Sequence, residues 1–438
     1  MAINRVALFT NEYPPNVYGG AGVHVEYLSR ALAKQVEVEV RCFATGTGGS
    51  VGNAATGADA TVESDIVRVR RDGDIVVREY APWDEMKRNT DARFASAMGA
   101  FSRSLAMAKD DLDADVVHCH TWYTQMGGLI ASQLWGIPFL LTTHSLEPLR
   151  PWKVEQLGNA YHLSSWMEKT AIESADRIIA VSRETEADVQ RLFIGVDSRT
   201  RVIHNGIDLS EYTPGSDTSA ISSHGVDPTK PYVLFVGRIT RQKGIIHLVD
   251  AIRYIDKDIQ VVLLAGAPDT PEIATEMKEH LAAARRGRDN VFWIETMLPR
   301  NETIQFYSHA TVFACPSVYE PFGIINLEAM ACKTAVVASK VGGIPEVVVP
   351  GETGVLVDPG LVPGTFSPND PEHFSRELAD AINAVAGDPA TARRYGEAGR
   401  LRAQEHFSWD AIAEKTLDLY REAAAERAGD TPGPGRTP

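Results

Sequence analysis

The chain has 438 residues, of which 44% are hydrophobic and 23% charged, and it carries a formal net charge of −15 at pH 7. A chain of this length and composition can bury large cores and is expected to form two domains. Its negative field argues against nucleic acid or an anionic membrane as a partner, and no apolar run reaches the ~18 residues of a membrane span.

The cysteines predict a reducing compartment. They lie in apolar surroundings without metal-type spacing, which favours buried thiols and a cytoplasmic location. The first residues lead directly into a strand, so no signal peptide is expected. The four cysteines are Cys42, Cys119, Cys315 and Cys332.

The amino-terminal segment predicts a βαβ unit: a strand at Arg5–Thr10, a loop to Gly22, a helix at Val23–Gln35 and a strand at Val36–Phe43. The loop glycines lack the dinucleotide spacing, and no acidic residue ends the second strand, which argues against NAD. Gly20 is a candidate to offer its amide to a phosphate. The alternative is a tight turn that needs glycine.

Residues 45–60 are rich in Gly, Ala, Ser and Thr and predict a mobile excursion. Two Asp-x-Asp sequences follow, Asp72-Gly-Asp74 and Asp113-Ala-Asp115. The first reads as a hairpin turn and the second precedes a strand, so both are interpreted as structural rather than metal-binding.

Polar and aromatic residues end two buried strands of the first half. His118, His120 and Trp122 follow one strand, and His144 follows another. Parallel sheets place ligand contacts at such ends, so His120 and Trp122 are candidate substrate contacts and His144 is expected to meet the transferred group. A structural role for these residues is the alternative. No third ligand of suitable spacing accompanies His118 and His120, so a metal site is not predicted.

The irregular segment at residues 147–153 carries Arg150, Trp152 and Lys153. One interpretation is that this segment binds a sugar or phosphate of an acceptor. The other is that it is a packed loop. The turn sequence Asn205-Gly-Ile-Asp208 marks the expected crossing between domains.

The second half repeats the pattern of buried strand, loop and helix, which predicts a second doubly wound sheet. Arg238 and Lys243 follow its first strand and are candidates to neutralise a departing diphosphate, although such residues are often solvated surface. The predicted strands are Pro231–Gly237, Gln260–Gly266, Val291–Ile294, Ala310–Cys315 and Thr334–Ala338.

The segment Glu320-Pro-Phe-Gly-Ile-Ile-Asn-Leu-Glu328 predicts a loop that runs into a buried helix. The amides of Gly323, Ile324 and Ile325 at the helix start are candidate phosphate ligands. Glu328 lies one turn inside, where its carboxylate can bind a ribose, and Glu320 is free to contact a sugar. Charged surface residues are the alternative for this pair.

As a set, Gly19-Gly20, His144, Arg238 with Lys243 and Glu320-x7-Glu328 resemble family 4 retaining glycosyltransferases of the GT-B fold over nearly the whole chain. Four segments are similar to the bacterial glycogen synthase subgroup that includes α-maltose-1-phosphate synthases. These segments are Tyr13-Pro-Pro, Tyr18-Gly-Gly-Ala-Gly-Val-His24, His118-Cys-His-Thr-Trp-Tyr123 and Thr143-His-Ser-Leu-Glu-Pro-Leu-Arg-Pro-Trp-Lys153.

The resemblance implies an α/β protein with two Rossmann-like doubly wound domains that face each other across a cleft. Residues 1–205 are expected to form the acceptor-side domain and residues 206–405 the nucleotide-sugar-binding domain. A helix at 406–428 is expected to pack back on the first domain, and residues 429–438 to form a disordered tail.

The resemblance also implies transfer of glucose from ADP-glucose, with retention, to glucose 1-phosphate or to the non-reducing end of an α-1,4-glucan, without metal or cofactor. Gly20, Arg238 and Lys243 would hold the diphosphate and Glu328 the ribose. Glu320 and the amides of residues 323–325 would hold sugar and phosphates, and His144 the glucose. Thr121 stands where synthases of long glucans tend to carry Asp, which favours a small acceptor.

Several alternatives remain open at the level of sequence. One alternative is a UDP-sugar-dependent family 4 glycosyltransferase with another small acceptor. An alternative of a different class is a protein that binds a nucleotide sugar without catalysis. A pyridoxal-phosphate phosphorylase shares the architecture but requires a lysine Schiff base. A glycosidase would use Glu320 and Glu328 as its carboxyl pair, which a position inside a helix disfavours. A homodimer is one assembly state that the sequence leaves open.

Overall fold

The computed structural model of the protein describes residues 2–17, 19–44, 61–64, 66–83, 91, 94–154, 158–266 and 268–430. The chain divides into two compact units. Unit 1 comprises the chain up to Gly206 together with the segment from Trp409 onward, and unit 2 comprises Ile207–Ser408. The predicted excursion at 45–60 and the tail positions 431–438 lie outside the described residues.

In the described part of unit 1, nine strands form one sheet in the order β3-β4-β5-β2-β1-β6-β7-β8-β9. Strands β3, β4 and β5 pair antiparallel at one edge, and the remaining neighbours pair in parallel. The strands are β1 (Arg5–Phe9), β2 (Glu37–Phe43), β3 (Thr61–Ser64), β4 (Val67–Asp72), β5 (Ile75–Tyr80), β6 (Val116–His120), β7 (Phe139–Thr143), β8 (Arg177–Ala180) and β9 (Thr200–Val202).

Helices cover both faces of this sheet, which is why its central strands read as continuous apolar runs. Val6 and Leu8 of β1 belong to the cluster that includes buried residues of the first and last helices, whereas Ala7 and Phe9 belong to the cluster on the opposite face. The helices before the crossing are α1 (Gly20–Leu32), α2 (Ala95–Lys109), α3 (Trp122–Trp135), α4 (Ala160–Ser174) and α5 (Arg183–Leu192).

In unit 2, six strands form a parallel sheet in the order β12-β11-β10-β13-β14-β15 among the described residues. Neighbouring strands β10 and β13 bring their carboxyl ends to one edge of the sheet, and the candidate site of this unit lies there. The strands are β10 (Tyr232–Arg238), β11 (Gln260–Gly266), β12 (Val291–Ile294), β13 (Val312–Cys315), β14 (Ala335–Ser339) and β15 (Gly354–Val357).

The helices of unit 2 also lie on both sides of its sheet. One buried cluster joins β10, β11 and β14 to the helices α7, α8 and α12. The helices are α6 (Ser219–Ser223), α7 (Ile245–Ala251), α8 (Pro271–Ala284), α9 (Arg300–His309), α10 (Ile324–Ala331), α11 (Ile344–Val347), α12 (Pro371–Ala386) and α13 (Pro389–His406).

The last helix, α14 (Trp409–Asp430), packs in unit 1 against α1 and the sheet. Ile412, Leu417 and Tyr420 are buried there beside Leu28. The two sheets and this returning helix confirm the predicted fold. None of the described helices is both long and apolar enough to cross a bilayer.

Helix α1 differs from its prediction by starting at Gly20 rather than at Val23. Gly19 has an extended backbone with φ −130° and ψ 163°, and its amide donates to Glu12 Oε2 at 2.8 Å. The glycines therefore start the helix instead of extending the loop. The helix ends at Leu32, because Gln35 is already in a turn, where its amide donates to the Leu32 carbonyl.

Candidate functional site

The loop after β10 packs directly against the loop after β13. Gly244 has φ +58°, and a Cβ there would lie 2.2 Å from the Pro316 carbonyl oxygen, so the approach requires glycine. Nearby, the Val318 amide donates to the Gln242 carbonyl at 3.0 Å. These backbone contacts set Lys243, between Gln242 and Gly244, beside the second loop.

Lys243 and Glu320 form a short ion pair. Lys243 Nζ lies 2.6 Å from Glu320 Oε2, and the two side chains are 19% and 8% exposed. The Ser317 hydroxyl donates to the same carboxylate oxygen at 3.2 Å. A lysine ammonium has three donors, so this pair leaves Lys243 with further capacity for an anionic ligand.

The backbone of Glu320 is fixed as firmly as its side chain. Its carbonyl oxygen accepts a hydrogen bond from the Gly343 amide at 3.0 Å. Gly342 has φ +53°, and a Cβ there would lie 2.0 Å from the same carbonyl oxygen. The turn that leads into α11 therefore holds the loop in which Glu320 lies.

Helix α10 begins at Ile324, with Gly323 as its N-cap at φ +97°. No described side chain caps this end, so the predicted phosphate ligands Gly323, Ile324 and Ile325 stand at the positive end of a helix. Asn326 follows them. It is fully buried, and both its side-chain oxygen and nitrogen lack a hydrogen-bond partner among the described residues.

Glu328 lies one turn inside α10 and is held by two tyrosines. Tyr212 donates to Glu328 Oε1 at 3.0 Å, and Tyr307 donates to Oε2 at 2.9 Å. Burial raises the pKa of Glu328, and the two hydroxyl donors oppose that shift. The carboxylate is therefore held in a fixed orientation at a poorly solvated site, which suits a group that accepts hydrogen bonds from hydroxyls.

Arg238 ends β10 and pairs with an aspartate. Its Nη1 lies 3.1 Å from Asp269 Oδ1, and the side chains are 26% and 6% exposed. The loop that carries Asp269 is joined to the strand end, since the Asp269 amide donates to the Ile239 carbonyl. Asp269 thus orients the guanidinium at the carboxyl end of β10.

In unit 1, Gly20 is the exposed first residue of α1. A Cβ at Gly22, two positions later, would lie 2.8 Å from Glu12 Oε2 and 2.9 Å from Glu12 Cβ. The glutamate therefore lies against the helix start, and this explains one glycine of the motif by close packing. The phosphate contact proposed for Gly20 stays a prediction.

Three histidines of unit 1 meet beside the ends of β6 and β7. We call His24, His120 and His144 the histidine cluster. One ring nitrogen of each lies within 4.8 Å of those of the other two. The structure therefore places two imidazoles beside His120 that the spacing in the sequence did not reveal. His24 is 96 positions or more from the other two in the chain, so its place in the cluster depends on how α1 packs on the sheet.

His118 serves the packing instead. Its Nδ1 lies 2.7 Å from the Tyr420 hydroxyl and its Nε2 lies 2.8 Å from Thr142 Oγ1, so both ring nitrogens are engaged. Burial lowers its pKa to about 3. This histidine links the sheet to α14.

Trp122 opens α3 and is 3% exposed within a hydrophobic cluster that includes Ala97 and Met126. The structure thus gives it a place in the core of unit 1, and its role as a sugar contact stays a prediction. Thr121, which precedes it, has φ +66°, a conformation that is costly for a β-branched residue. Its hydroxyl donates to Asn11 Oδ1 at 2.8 Å.

The segment at 147–153 is anchored to α4. Arg150 Nη1 lies 3.2 Å from Ser145 Oγ, and Glu147 accepts a hydrogen bond from Ser164 Oγ at 2.9 Å. Lys153 is buried. Both interpretations of this segment, as a packed loop and as an acceptor grip, agree with these contacts.

The two Asp-x-Asp sequences make structural contacts. Asp72 ends β4 before the hairpin turn and accepts from the Tyr13 hydroxyl at 3.1 Å. Asp115 accepts from the backbone amides of Asn4 and Arg5 at 2.7 and 3.0 Å.

Sequence reasoning missed the residues that support the site. Tyr212 and Tyr307 on Glu328, Asp269 on Arg238 and His24 beside His120 come from distant segments. Their only sequence signal is a polar or aromatic residue next to a turn or inside an apolar pattern, which is also typical of ordinary packing.

Two family models cover most of the chain. The model described as Glycosyltransferase Family 4 matches residues 18–211, and the model described as Glycosyl transferases group 1 matches residues 217–402. With two Rossmann-like parallel sheets and the strand-end residues above, the protein is a glycosyltransferase of the GT-B fold. The chain belongs to the family 4 glycosyltransferases, as its motifs predicted.

Comparison with individual curated proteins is more specific than the family models. The chain is 48% identical over 425 residues to the alpha-maltose-1-phosphate synthase of Mycolicibacterium smegmatis, which covers 96% of this chain and 100% of the relative. It is 46% identical to the enzyme of that name from Mycobacterium tuberculosis, again over 96% of this chain and 100% of the relative. A D-inositol 3-phosphate glycosyltransferase of Xylanimonas cellulosilytica is 30% identical and covers 93% of each chain.

Solved structures agree on the fold. A sucrose-phosphate synthase from Thermosynechococcus elongatus superposes with a TM-score of 0.72 at 27% identity, over 97% of this chain and 100% of that chain. The catalytic domain of starch synthase IV from Arabidopsis thaliana, bound to ADP and acarbose, gives a TM-score of 0.71 at 18% identity, over 97% and 100%.

Proposed function

We propose that this glycosyltransferase transfers glucose from ADP-glucose to glucose 1-phosphate and forms α-maltose 1-phosphate with retention at the anomeric carbon. The observation that carries the proposal is the 48% identity, over the full length of the relative, to an alpha-maltose-1-phosphate synthase. The name of the more distant D-inositol 3-phosphate glycosyltransferase also contains a phosphorylated small molecule. A small phosphorylated acceptor therefore fits both levels of similarity.

In the proposed reaction the bond between the glucose C1 and the diphosphate oxygen breaks, and a bond forms from C1 to a hydroxyl oxygen of the acceptor. ADP leaves with the bonding electron pair. The departing phosphate oxygen takes the proton of the acceptor hydroxyl, so no external base is required. The remaining task is to stabilise the charge that develops on the diphosphate.

Unit 2 supplies the groups for that task. Lys243 and Arg238 are each oriented by a carboxylate, and both are cations that attract the negative charge of a diphosphate. The amides of Gly323, Ile324 and Ile325 add the positive end of α10. We assign Glu328 to the ribose, because both its oxygens are already aligned by tyrosine hydroxyls.

Glu320 and His144 are assigned to the transferred glucose, His144 from unit 1, and Gly20 to the diphosphate. Burial lowers the pKa of His144 well below its ordinary value, so the imidazole is neutral and can exchange hydrogen bonds with sugar hydroxyls. None of these steps needs a metal ion. The cysteines are free and buried, which fits a reducing cytoplasm.

The test supplies the protein with ADP-glucose or UDP-glucose, each with glucose 1-phosphate or glycogen, and identifies the products by mass. The proposal expects a disaccharide phosphate from ADP-glucose and glucose 1-phosphate. Phosphatase treatment of that product should then give maltose, which reports the linkage. Efficient incorporation only into glycogen would replace the proposal by elongation of an α-glucan, and use only of UDP-glucose would replace the donor.

A further inference from the structure

The histidine cluster has the composition of a metal site. His24 comes from α1, His120 ends β6 and His144 follows β7. Three imidazole nitrogens around one ion at 2.0–2.1 Å in tetrahedral geometry lie roughly 3.4 Å from one another. Here the three nitrogens lie within 4.8 Å of one another, so closure requires side-chain movements of roughly 1–1.5 Å.

The hydrogen bonds of His24 present a lone pair to the cluster. His24 Nδ1 lies 2.6 Å from Asn205 Oδ1, and an amide oxygen only accepts, so the proton resides on Nδ1. The other nitrogen, Nε2, is then unprotonated, and it is buried without a hydrogen-bond partner among the described residues. Histidine ligands of zinc are oriented in this way, by donating their second ring N–H to a carbonyl or carboxylate.

The other two histidines are held together by one proton. His120 Nδ1 and His144 Nε2 lie 3.0 Å apart, close to the spacing of two ligands on one ion. His120 Nε2 is buried without a partner among the described residues. When the ring that donates this proton shifts to its other tautomer, both facing nitrogens carry lone pairs with no net loss of protons.

His24 and His120 are buried, with 2% and 0% of their surface exposed. Neutral imidazole is the metal-binding form, and a net charge of −15 raises the local concentration of cations. His144 is half-buried, which gives an ion a path to the cluster.

We propose that the histidine cluster is an inhibitory binding site for a borderline divalent transition-metal ion, for which Zn²⁺ is the probe. Imidazole ligands suit Zn²⁺, Cu²⁺ and Ni²⁺ rather than Mg²⁺ or Ca²⁺. The inhibition rests on the proposed function, because an ion bound to His144 occupies a side chain that is assigned to the transferred glucose. The bound ion keeps an open fourth position for water.

Binding is measured first, without activity. Metal-free protein is titrated with Zn²⁺ in competition with a chromophoric chelator, and Co²⁺ is added separately to record the visible bands of a tetrahedral site. We expect one ion per chain, with affinity reduced at least tenfold in His24→Asn. The matched control His373→Gln removes an exposed imidazole of unit 2 and should leave binding unchanged.

A second variant separates loss of a ligand from loss of folding. Asn205→Asp keeps the acceptor on His24 Nδ1 and makes it a carboxylate, which strengthens imidazole as a ligand. It should bind Zn²⁺ more tightly than the parent protein, which a folding defect cannot imitate. Equal Zn²⁺ affinity in the parent, His24→Asn and Asn205→Asp proteins would overturn the site.

Inhibition is then measured as the rate of ADP release with and without Zn²⁺. The proposal expects Zn²⁺ to raise the KM for ADP-glucose and a chelator to restore it. Stoichiometric binding without any change in KM would overturn the inhibitory role. Absence of transfer in metal-free protein would instead refute the proposed function and leave the spectroscopic result standing.

Discussion

Replacing Lys243 by alanine should reduce stability, because it leaves the carboxylate of Glu320 without its cation. That carboxylate is 8% exposed, and among the described residues its Oε2 would keep only the Ser317 hydroxyl at 3.2 Å. Breaking a buried pair costs about 3–5 kcal/mol, and the 19% exposure of Lys243 reduces this to about 2 kcal/mol. For a unit of some 200 residues the unfolding midpoint should fall by roughly 4–8 °C.

The same substitution should reduce catalysis for a separate reason. If Lys243 stabilises the departing diphosphate, its loss lowers kcat by ~10² or more, which corresponds to about 2.7 kcal/mol of transition-state stabilisation. The assay is the rate of ADP release from ADP-glucose with glucose 1-phosphate. Thermal unfolding of the same sample gives the change in stability separately.

The double variant Lys243→Met with Glu320→Gln separates the two effects, because it removes both charges and leaves no unpaired carboxylate. Its stability should recover most of the loss while its activity stays low. As a control, Arg253→Ala breaks an exposed pair with Glu372, 53% and 54% exposed, and should change stability by no more than about 0.5 kcal/mol. Near-normal turnover in Lys243→Ala would refute the catalytic assignment, and a double variant as unstable as the single one would refute the ion-pair argument.

Tyr307→Phe removes the hydroxyl that aligns Glu328, so the KM for ADP-glucose should rise roughly tenfold while kcat changes less; a fall in kcat alone would contradict the ribose assignment. Gly342→Ala places a Cβ 2.0 Å from a carbonyl oxygen, so the free energy of unfolding measured in urea should fall by at least about 3 kcal/mol. As its control, Gly136→Ala is also at positive φ but has no atom nearby, and its free energy of unfolding should fall by only about 1–2 kcal/mol. Burial and a neighbouring carboxylate raise the pKa of Glu168, so its ionisation opposes folding once the pH exceeds the pKa of this group in the unfolded chain. The stability of Glu168→Gln relative to the parent protein should therefore increase as the pH rises from 5 to 8. A difference in stability that stays constant over this pH range would refute the argument.

The fold was predictable from the sequence because parallel strands buried on both faces appear as short apolar runs between loops and helices. The pattern at Gln260–Gly266 gave β11 with the observed bounds. Helix starts were less predictable: the sequence cannot show that Glu12 holds the Gly19 amide and so begins α1 at Gly20. Such a start depends on a contact made by the folded loop.

The candidate site was predictable only in part, for a related reason. Lys243 and Glu320 lie after β10 and β13, and neighbouring parallel strands place such loops at one edge of a sheet. Tyr212 and Tyr307 reach Glu328 from a segment before β10 and from α9. Their positions depend on packing between distant segments, which local sequence patterns do not encode.

The two glutamates that the sequence presents as a matched pair have different surroundings, and this difference supports different roles. Glu320 is balanced by an ammonium group at 2.6 Å. Glu328 is balanced by two neutral hydroxyls, and burial raises its pKa. A glycosidase needs an acid and a nucleophile on either side of one bond, whereas here one carboxylate orients a cation and the other is fixed by tyrosines inside a helix. The ammonium group of Lys243 has three donors and uses one of them for Glu320, so it can be held in place and still bind a diphosphate. A fixed cation beside the leaving group is the arrangement that nucleotide-sugar chemistry requires.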